Sequence, residues 1–249
     1  MIWLKSITLE VKFYEVIFFI FLLIYSFDLQ SDESQIISSL VKVLPEGMSV
    51  QSIKKSQIEN LYIVDIGDLQ PLYVSEDGEF FFYGELYAIN GDQLENTTKD
   101  EINLKRKKIL DDELGGDDFI SFKSDNEKFQ VIIFTDVDCG YCRKFHNEME
   151  DFNNLGITVN YVAFPRSGLD SNSYNKIVTA WCSSYPKETI TQMKQGQEVA
   201  ISLCKNHPVK KHYLLGQKIG ITGTPAIIKP SGELLPGYLS PEELLSRLN

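Results

Sequence analysis

Basic charge is scarce in this chain. Its 24 lysines and arginines are outnumbered by 35 aspartates and glutamates, which leaves a formal charge of −11. With a pI near 4.8, nucleic acid is excluded as an expected partner, because phosphate backbones are bound by cationic surfaces. Cysteine is scarce as well, with four residues in 249. There is only one C-x2-C, so the second pair of ligands that a four-cysteine zinc ribbon requires is missing and no metal is expected. Also missing from the N-terminal region is an apolar run of about 20 residues, the length a membrane-spanning helix needs. Val16 to Phe27, VIFFIFLLIYSF, has only 12. Disorder is excluded by composition, since 43% of the residues are hydrophobic, ample for a packed core.

The short apolar run lies behind Lys5 and Lys12, which gives it the form of a signal-peptide h-region. Glu10 and Glu15 are unusual in that flank and no clean A-x-A site follows. Residues 1–30 are therefore expected to be a cleaved signal or an uncleaved N-terminal anchor, with a buried core helix as the third reading. Either of the first two exports the remainder into an oxidising, disulfide-permissive compartment.

What is present centres on Cys139-Gly140-Tyr141-Cys142. Val131-Ile132-Ile133-Phe134 reads as a buried strand, and Cys142, Phe145, Met149 and Phe152 recur at helical spacing behind it. Two cysteines three apart at a helix start lie within bridging reach, the first where the dipole and unpaired N–H groups favour a thiolate. The thiolate is the attacking species in disulfide exchange. Cys139 is thus the candidate nucleophile and Cys142 the resolving thiol. Asp138 should disfavour the Cys139 thiolate, while Arg143 and Lys144 should oppose Asp138. His146 is expected on a solvated helix face, and His207 and His212 look equally ordinary.

Taken in order, residues 31–44 keep a helical period. Strand-like pieces follow at 48–53, 60–67, 71–75, 79–84 and 85–89, with turns at Glu76-Asp77-Gly78 and Asn90-Gly91. This α+β unit, residues 31–95, is small enough to be marginal alone, so pairing with a second copy would help it. Phe80-Phe81-Phe82-Tyr83 cannot place every ring on one face of a strand. The run is expected to be core on one side and covered on the other; the alternative is apolar surface offered to a partner subunit or an unfolded client. Residues 96–116 read as a polar linker helix, with Thr98 and Glu101 as a capping box and Lys105-Arg106-Lys107-Lys108 as a solvated face. Residues 117–249 give β-β-α-β, a helical insertion, then β-β-α. The dithiol sits at the carboxyl end of a strand, where open α/β sheets place their sites. Ser240-Pro241-Glu242-Glu243 opens the last helix.

CGYC after an apolar strand, Thr224-Pro225 before Ala226-Ile227-Ile228, and the small N-terminal unit together resemble the bacterial DsbC/DsbG protein-disulfide isomerases, across essentially all of the chain after residue 30. The resemblance implies a cystatin-like N-terminal dimerisation domain, a linker helix and a thioredoxin-like α/β domain with a helical insertion, assembled as a homodimer in the periplasm. It implies misfolded or mis-oxidised exported proteins as clients, chaperone-like client binding, a DsbD-type membrane reductase as electron donor, and no cofactor beyond the dithiol itself. Cys182 and Cys204 fall inside the insertion, where the family carries a structural disulfide. Pro225 reads by itself as a strand-start proline; in a thioredoxin-like fold it is cis and lies against the dithiol. Thr224, Gly140 and Tyr141 would then meet the client strand. Two alternatives remain, a DsbG-like reductase of sulfenic acids and a non-catalytic holdase with a structural CxxC.

Overall fold

The structure is a computed structural model, and it describes residues 33–249. The expected signal or anchor segment lies outside the described residues. Among those residues no helix is long and apolar enough to cross a membrane. The chain forms two compact units that divide between Thr98 and Lys99.

In the first unit, helix α1 (residues 33–40) packs on a four-stranded antiparallel sheet of order β1-β2-β3-β4. The strands are β1 (Ser52–Lys55), β2 (Leu61–Asp65), β3 (Leu72–Ser75) and β4 (Phe81–Phe82). Alternation along β2 turns Tyr62 and Val64 inward, and they meet Ile36 and Leu40, which lie one turn apart on α1. The hairpin β5 (Tyr87–Asn90) and β6 (Gln93–Asn96) stands as a separate two-stranded sheet.

Two expectations fail here. The aromatic run is not covered on its second side: Phe80, Phe81, Phe82 and Tyr83 are 70%, 54%, 41% and 55% exposed. The reason is that β4 is a two-residue edge strand, too short to be roofed by its own unit, although Phe82 stacks on Tyr73 at 4.8 Å. Thr98 is not the N-cap of the following helix, which already begins at Thr97. Its fully buried hydroxyl lies 2.6 Å from the Tyr73 hydroxyl and accepts from the Leu86 N–H, so it fastens the hairpin instead.

The second unit begins with most of α2 (Thr97–Glu113) and contains a five-stranded sheet of order β11-β10-β8-β9-β7. The strands are β7 (Ile120–Phe122), β8 (Phe129–Thr135), β9 (Ile157–Ala163), β10 (Ala226–Ile228) and β11 (Leu234–Pro236). Only β8 and β9 are parallel, the βαβ unit expected around the dithiol. Its crossover holds α3 (Gly140–Asn147) and α4 (Met149–Asn154). The strands β7 and β8, neighbours in sequence, are separated in the sheet by β9.

Every residue of β9 is buried, as expected for a strand covered on both faces. Val131, Ile133, Val159 and Tyr161 point to one core with Phe145, Phe152, Ile177 and Ile190. Phe134 and Val162 point to the other, with Leu110, Leu215 and Ile219. The insertion supplies α5 (Asn172–Cys182), α6 (Pro186–Lys194) and α7 (Val209–Lys218), and the unit closes with α8 (Pro241–Leu248). The Ser240 hydroxyl accepts from the Glu243 N–H to cap α8, and the Glu243 carboxylate accepts in turn from the Ser240 N–H, a complete capping box.

Helix α2 is not solvated all round. Lys107 and Lys108 are exposed and pair one turn on with Asp111 and Asp112. Arg106 is 6% exposed, and donates to the Ile219 carbonyl at 3.0 Å and the Gly232 carbonyl at 2.8 Å. A lone cation with a long apolar stem can be buried where fixed carbonyl oxygens take up its N–H groups. Sequence periodicity carries no sign of those distant acceptors.

Candidate active site

Strand β8 delivers the chain into Asp136-Val137-Asp138, and Cys139 is the N-cap of α3. The Cys142 N–H points at the Cys139 sulfur at 3.3 Å, as N-cap geometry requires, and the Cys139 thiol donates to the Thr224 carbonyl at 3.2 Å. Both thiols are free and buried, 2% and 1% exposed, whereas Tyr141 between them is 65% exposed. The Thr224-Pro225 peptide bond is cis. It carries the Thr224 carbonyl to the sulfur, and the Pro225 carbonyl accepts from the Gly237 N–H at 2.9 Å. The structure thus brings Cys139, Gly140, Tyr141, Cys142, Thr224 and Pro225 into one place. The Thr224 carbonyl, beside which the client strand was expected, is engaged by the Cys139 thiol.

The two sulfurs are electrostatically unlike. Hydrogen bonding from the Cys142 thiol holds the Cys139 thiol down at about 5. The Cys142 N–H and the Arg166 charge act in the same direction, and the favourable contributions together outweigh burial. Cys142 moves far upward, because burial and its role as donor to Cys139 both favour the protonated form. One thiol is therefore ionised at neutral pH while its neighbour keeps its proton.

The surrounding charges are arranged differently from the sequence expectation. Asp138 is neutralised mainly by Lys176 of α5, at 2.8 Å, with Arg143 further away at 3.5 Å. Lys144 lies over the Tyr238 ring at 4.1 Å. Arg166, just beyond β9, is a cation that acts on Cys139, and it pairs with the buried Asp136 at 3.3 Å. Burial alone would raise the Asp136 carboxyl. Hydrogen bonds from Ser173, the Asp138 N–H and Arg166 more than offset this and keep it ionised below the usual range. Sequence reasoning missed Arg166, Asp136 and Lys176. The signal for Arg166 was available, since it follows the carboxyl end of the strand parallel to β8, at the same edge of the sheet.

His146 is not solvated. It is 5% exposed, 3.2 Å from the Tyr161 hydroxyl and 2.9 Å from the Thr191 hydroxyl. Burial, aided by the Lys194 charge, pushes it down to about 3, so it is neutral. His212 is fully buried 3.6 Å from Asp118, yet burial outweighs that carboxylate and lowers it to about 4. Both departures have one cause: flanking lysines say nothing about which helix face meets the core. Cys182 and Cys204 are joined by a disulfide 22 residues apart in sequence. It ties the end of α5 to residues 197–208, a stretch of the insertion that is not helical, whereas the insertion was expected to be helical. Among the described residues, no cluster of three or more histidines, cysteines or acids could hold a metal ion.

The model for the N-terminal domain of disulfide bond isomerase proteins matches residues 28–99, and that for a thioredoxin-like domain matches residues 116–249. The thiol:disulfide interchange protein DsbC of Escherichia coli (strain K12) is 34% identical over 229 residues, covering 91% of this chain and 92% of that protein. DsbC of Haemophilus influenzae (strain ATCC 51907 / DSM 11121 / KW20 / Rd) is 36% identical over 198 residues, covering 79% and 82%. A crystal structure of a disulfide interchange protein from Neisseria gonorrhoeae covers 54% of this chain and 97% of its own, with 29% identity and a TM-score of 0.48. A strand-to-helix dithiol with one acidic and one protonated thiol, and family matches across both units, lead to one statement: the chain belongs to the DsbC family of thiol:disulfide interchange proteins.

Proposed function

We propose that this chain isomerises, and where rearrangement stalls reduces, non-native disulfides in exported proteins of the periplasm. The observation that carries the reading is the contrast between Cys139, ionised near neutrality, and Cys142, buried and protonated beside it. The Cys139 thiolate attacks one sulfur of a client disulfide, forms a mixed disulfide and releases the other client sulfur as a thiolate. That thiolate attacks a second client disulfide, and the thiolate displaced there attacks the client sulfur held on Cys139. The Cys139 thiolate leaves, and the cycle closes with no net change of redox state. Should this stall, Cys142 loses its proton and attacks the Cys139 sulfur, the client leaves reduced, and the dithiol becomes a disulfide.

A low thiol pKa also makes Cys139 a good leaving group, which suits a catalyst that must let go of its clients. Both routes start from reduced Cys139 and Cys142, and a DsbD-type membrane reductase is the proposed electron donor. Thr224 and Pro225 meet the client strand beside the dithiol, with Gly140 and Tyr141 at the exposed edge. Cys182 and Cys204 serve only as a structural bridge. The first unit pairs two chains into a homodimer, and its exposed Phe80–Tyr83 run supplies apolar surface for that pairing or for clients.

Refolding of a scrambled multi-disulfide protein and reduction of insulin test the reading together. The full chain is expected to accelerate both and Cys139→Ala neither. Catalysis undiminished in Cys139→Ala would contradict the reading, and no catalysis by either protein, with client aggregation suppressed equally by both, would leave only a holdase. Deleting residues 31–95 is expected to give a monomer that exchanges thiols but no longer isomerises.

A further inference from the structure

Beside the nucleophile the helical insertion closes a cleft of about 370 Å³, large enough to take a side chain. Its floor is apolar, with Val137 and Met193 only 1% and 6% exposed. Val199 is half-buried against the same core, and Ile201 stands at the mouth, 53% exposed. Val137 and Asp138 directly precede Cys139. Arg143, one turn further along α3, donates its Nε–H to the Val137 carbonyl at 3.0 Å. The cleft therefore opens on the turn that presents the reactive sulfur. Its far wall is the non-helical stretch after α6, fastened at both ends. The Gly196 and Gln197 N–H groups donate to the Met193 and Gln192 carbonyls, each at 3.0 Å. The Ser202 N–H donates to the Thr179 hydroxyl at 3.1 Å, and the Cys182–Cys204 disulfide follows. A wall held in this way is preorganised, so an occupant does not have to order it.

Four charged side chains border the cleft, Asp138, Glu198, Arg143 and Lys176, two of each sign. The Asp138 carboxylate accepts from Lys176 at 2.8 Å and lies 3.5 Å from Arg143. A balanced rim over an apolar floor selects neither an anion nor a cation, but an uncharged apolar group. Met193, unbranched and polarizable, adapts to apolar groups of different shape. We infer that this cleft is a client subsite: it receives an aliphatic side chain, of leucine, isoleucine or methionine, lying one or two residues from the client cysteine joined to Cys139. A disulfide holds its two Cα atoms about 4.4–6.8 Å apart, and successive Cα atoms are about 3.8 Å apart. A client residue two positions from its cysteine is thus within reach of Val137, two positions from Cys139. Clients with non-native disulfides still expose residues meant for their cores, so such side chains are at hand. Thr224 and Pro225 address the client backbone; the cleft adds a side-chain preference.

The inference rests on the assignment of Cys139 as the sulfur that takes up the client, and competition between two peptides separates the two. Each peptide carries a single cysteine disulfide-bonded to glutathione, with either leucine or serine at the two positions on each side of it. Both are offered together to the reduced full chain carrying Cys142→Ala. The Cys139 thiolate attacks the peptide sulfur, glutathione leaves as a thiolate, and the two mixed disulfides are counted by mass spectrometry. The leucine complex is expected to exceed the serine complex by about three- to tenfold, the gain from half-burying a leucine side chain. Because the readout is a ratio, any general change in Cys139 reactivity cancels. Ile201→Asp, at an exposed position, sets a carboxylate at the mouth and is expected to bring the ratio below about twofold, whereas Ile201→Leu should keep it. A ratio near one with Ile201 in place, or a leucine preference that folded Ile201→Asp leaves unaltered, overturns the inference while the exchange chemistry stands. If neither peptide becomes attached to Cys139, the underlying assignment fails and the inference with it.

Discussion

The ionisation of Cys139 predicts where in pH its reactivity should stand out, and the place is not neutrality. With its pKa at about 5 against about 8.5 for a free thiol, Cys139 is nearly all thiolate at pH 7, when a free thiol is about 3% ionised. That advantage of about thirtyfold is offset, since nucleophilicity falls with pKa at a Brønsted slope of about 0.45, which over this gap costs about fortyfold. The two thiols should therefore react at similar rates at pH 7. At pH 5.5 a free thiol is about 0.1% ionised while Cys139 stays mostly thiolate, leaving a net advantage of about twentyfold after the same correction. The assay is stopped-flow reaction of the reduced chain with an activated aromatic disulfide from pH 4 to 9, following the first phase. The rate should rise through pH about 5 and be flat above about 6. Replacing Cys142 by Ala removes the hydrogen bond that contributes most to the shift, so the midpoint in that variant should move upward. A first phase that instead climbs through pH 8 to 9 would refute the electrostatic reasoning.

Three further outcomes follow from the same structure. Replacing Cys182 and Cys204 by Ala opens a loop whose ends are 22 residues apart and should cost about 3 kcal/mol in denaturant unfolding on the chain-entropy model, with the Cys139 reactivity profile unchanged. Gly232→Ala should destabilise by about 2–4 kcal/mol: φ is +84° there, and an added Cβ would lie 2.1 Å from the Asn103 carbonyl of α2. The control is Gly91→Ala at φ +63°, whose Cβ meets nothing within 4 Å, so only the backbone cost remains. Below pH about 6.5 the unfolded chain protonates His146 while the folded chain keeps it neutral down to about 3. More protons are bound in the unfolded state, so stability should fall as pH drops through that window. His146→Gln should show a shallower slope between those limits in urea titrations at successive pH values.

How far the sequence could be read depended on whether a feature was local. The CGYC turn was legible because strand, cap and helix are contiguous, and the C-terminal cap was legible because Ser240 and Glu243 satisfy each other within one turn. The βαβ unit could be read as a pattern, but the insertion of β9 between β7 and β8 could not, since pairing over that distance leaves no periodic trace. Burial of Arg106, His146 and His212 escaped for a related reason. Each is held by oxygen atoms or rings brought from far along the chain, such as the Ile219 carbonyl or the Tyr161 ring. Residue type alone placed them on the surface. The aromatic run at Phe80 went wrong in the opposite direction, because composition argued for a covered face where a two-residue edge strand provides none.

The central claim is that one sulfur, on Cys139, takes up the client and a second, on Cys142, lets it go. Incubating reduced Cys142→Ala with a scrambled disulfide protein, then separating covalent complexes under non-reducing conditions and mapping the linkage by mass spectrometry, tests it most directly. A mixed disulfide should accumulate through Cys139, and the wild-type chain should release it within the time of mixing. No complex, or one joined through Cys182 or Cys204, would contradict the account.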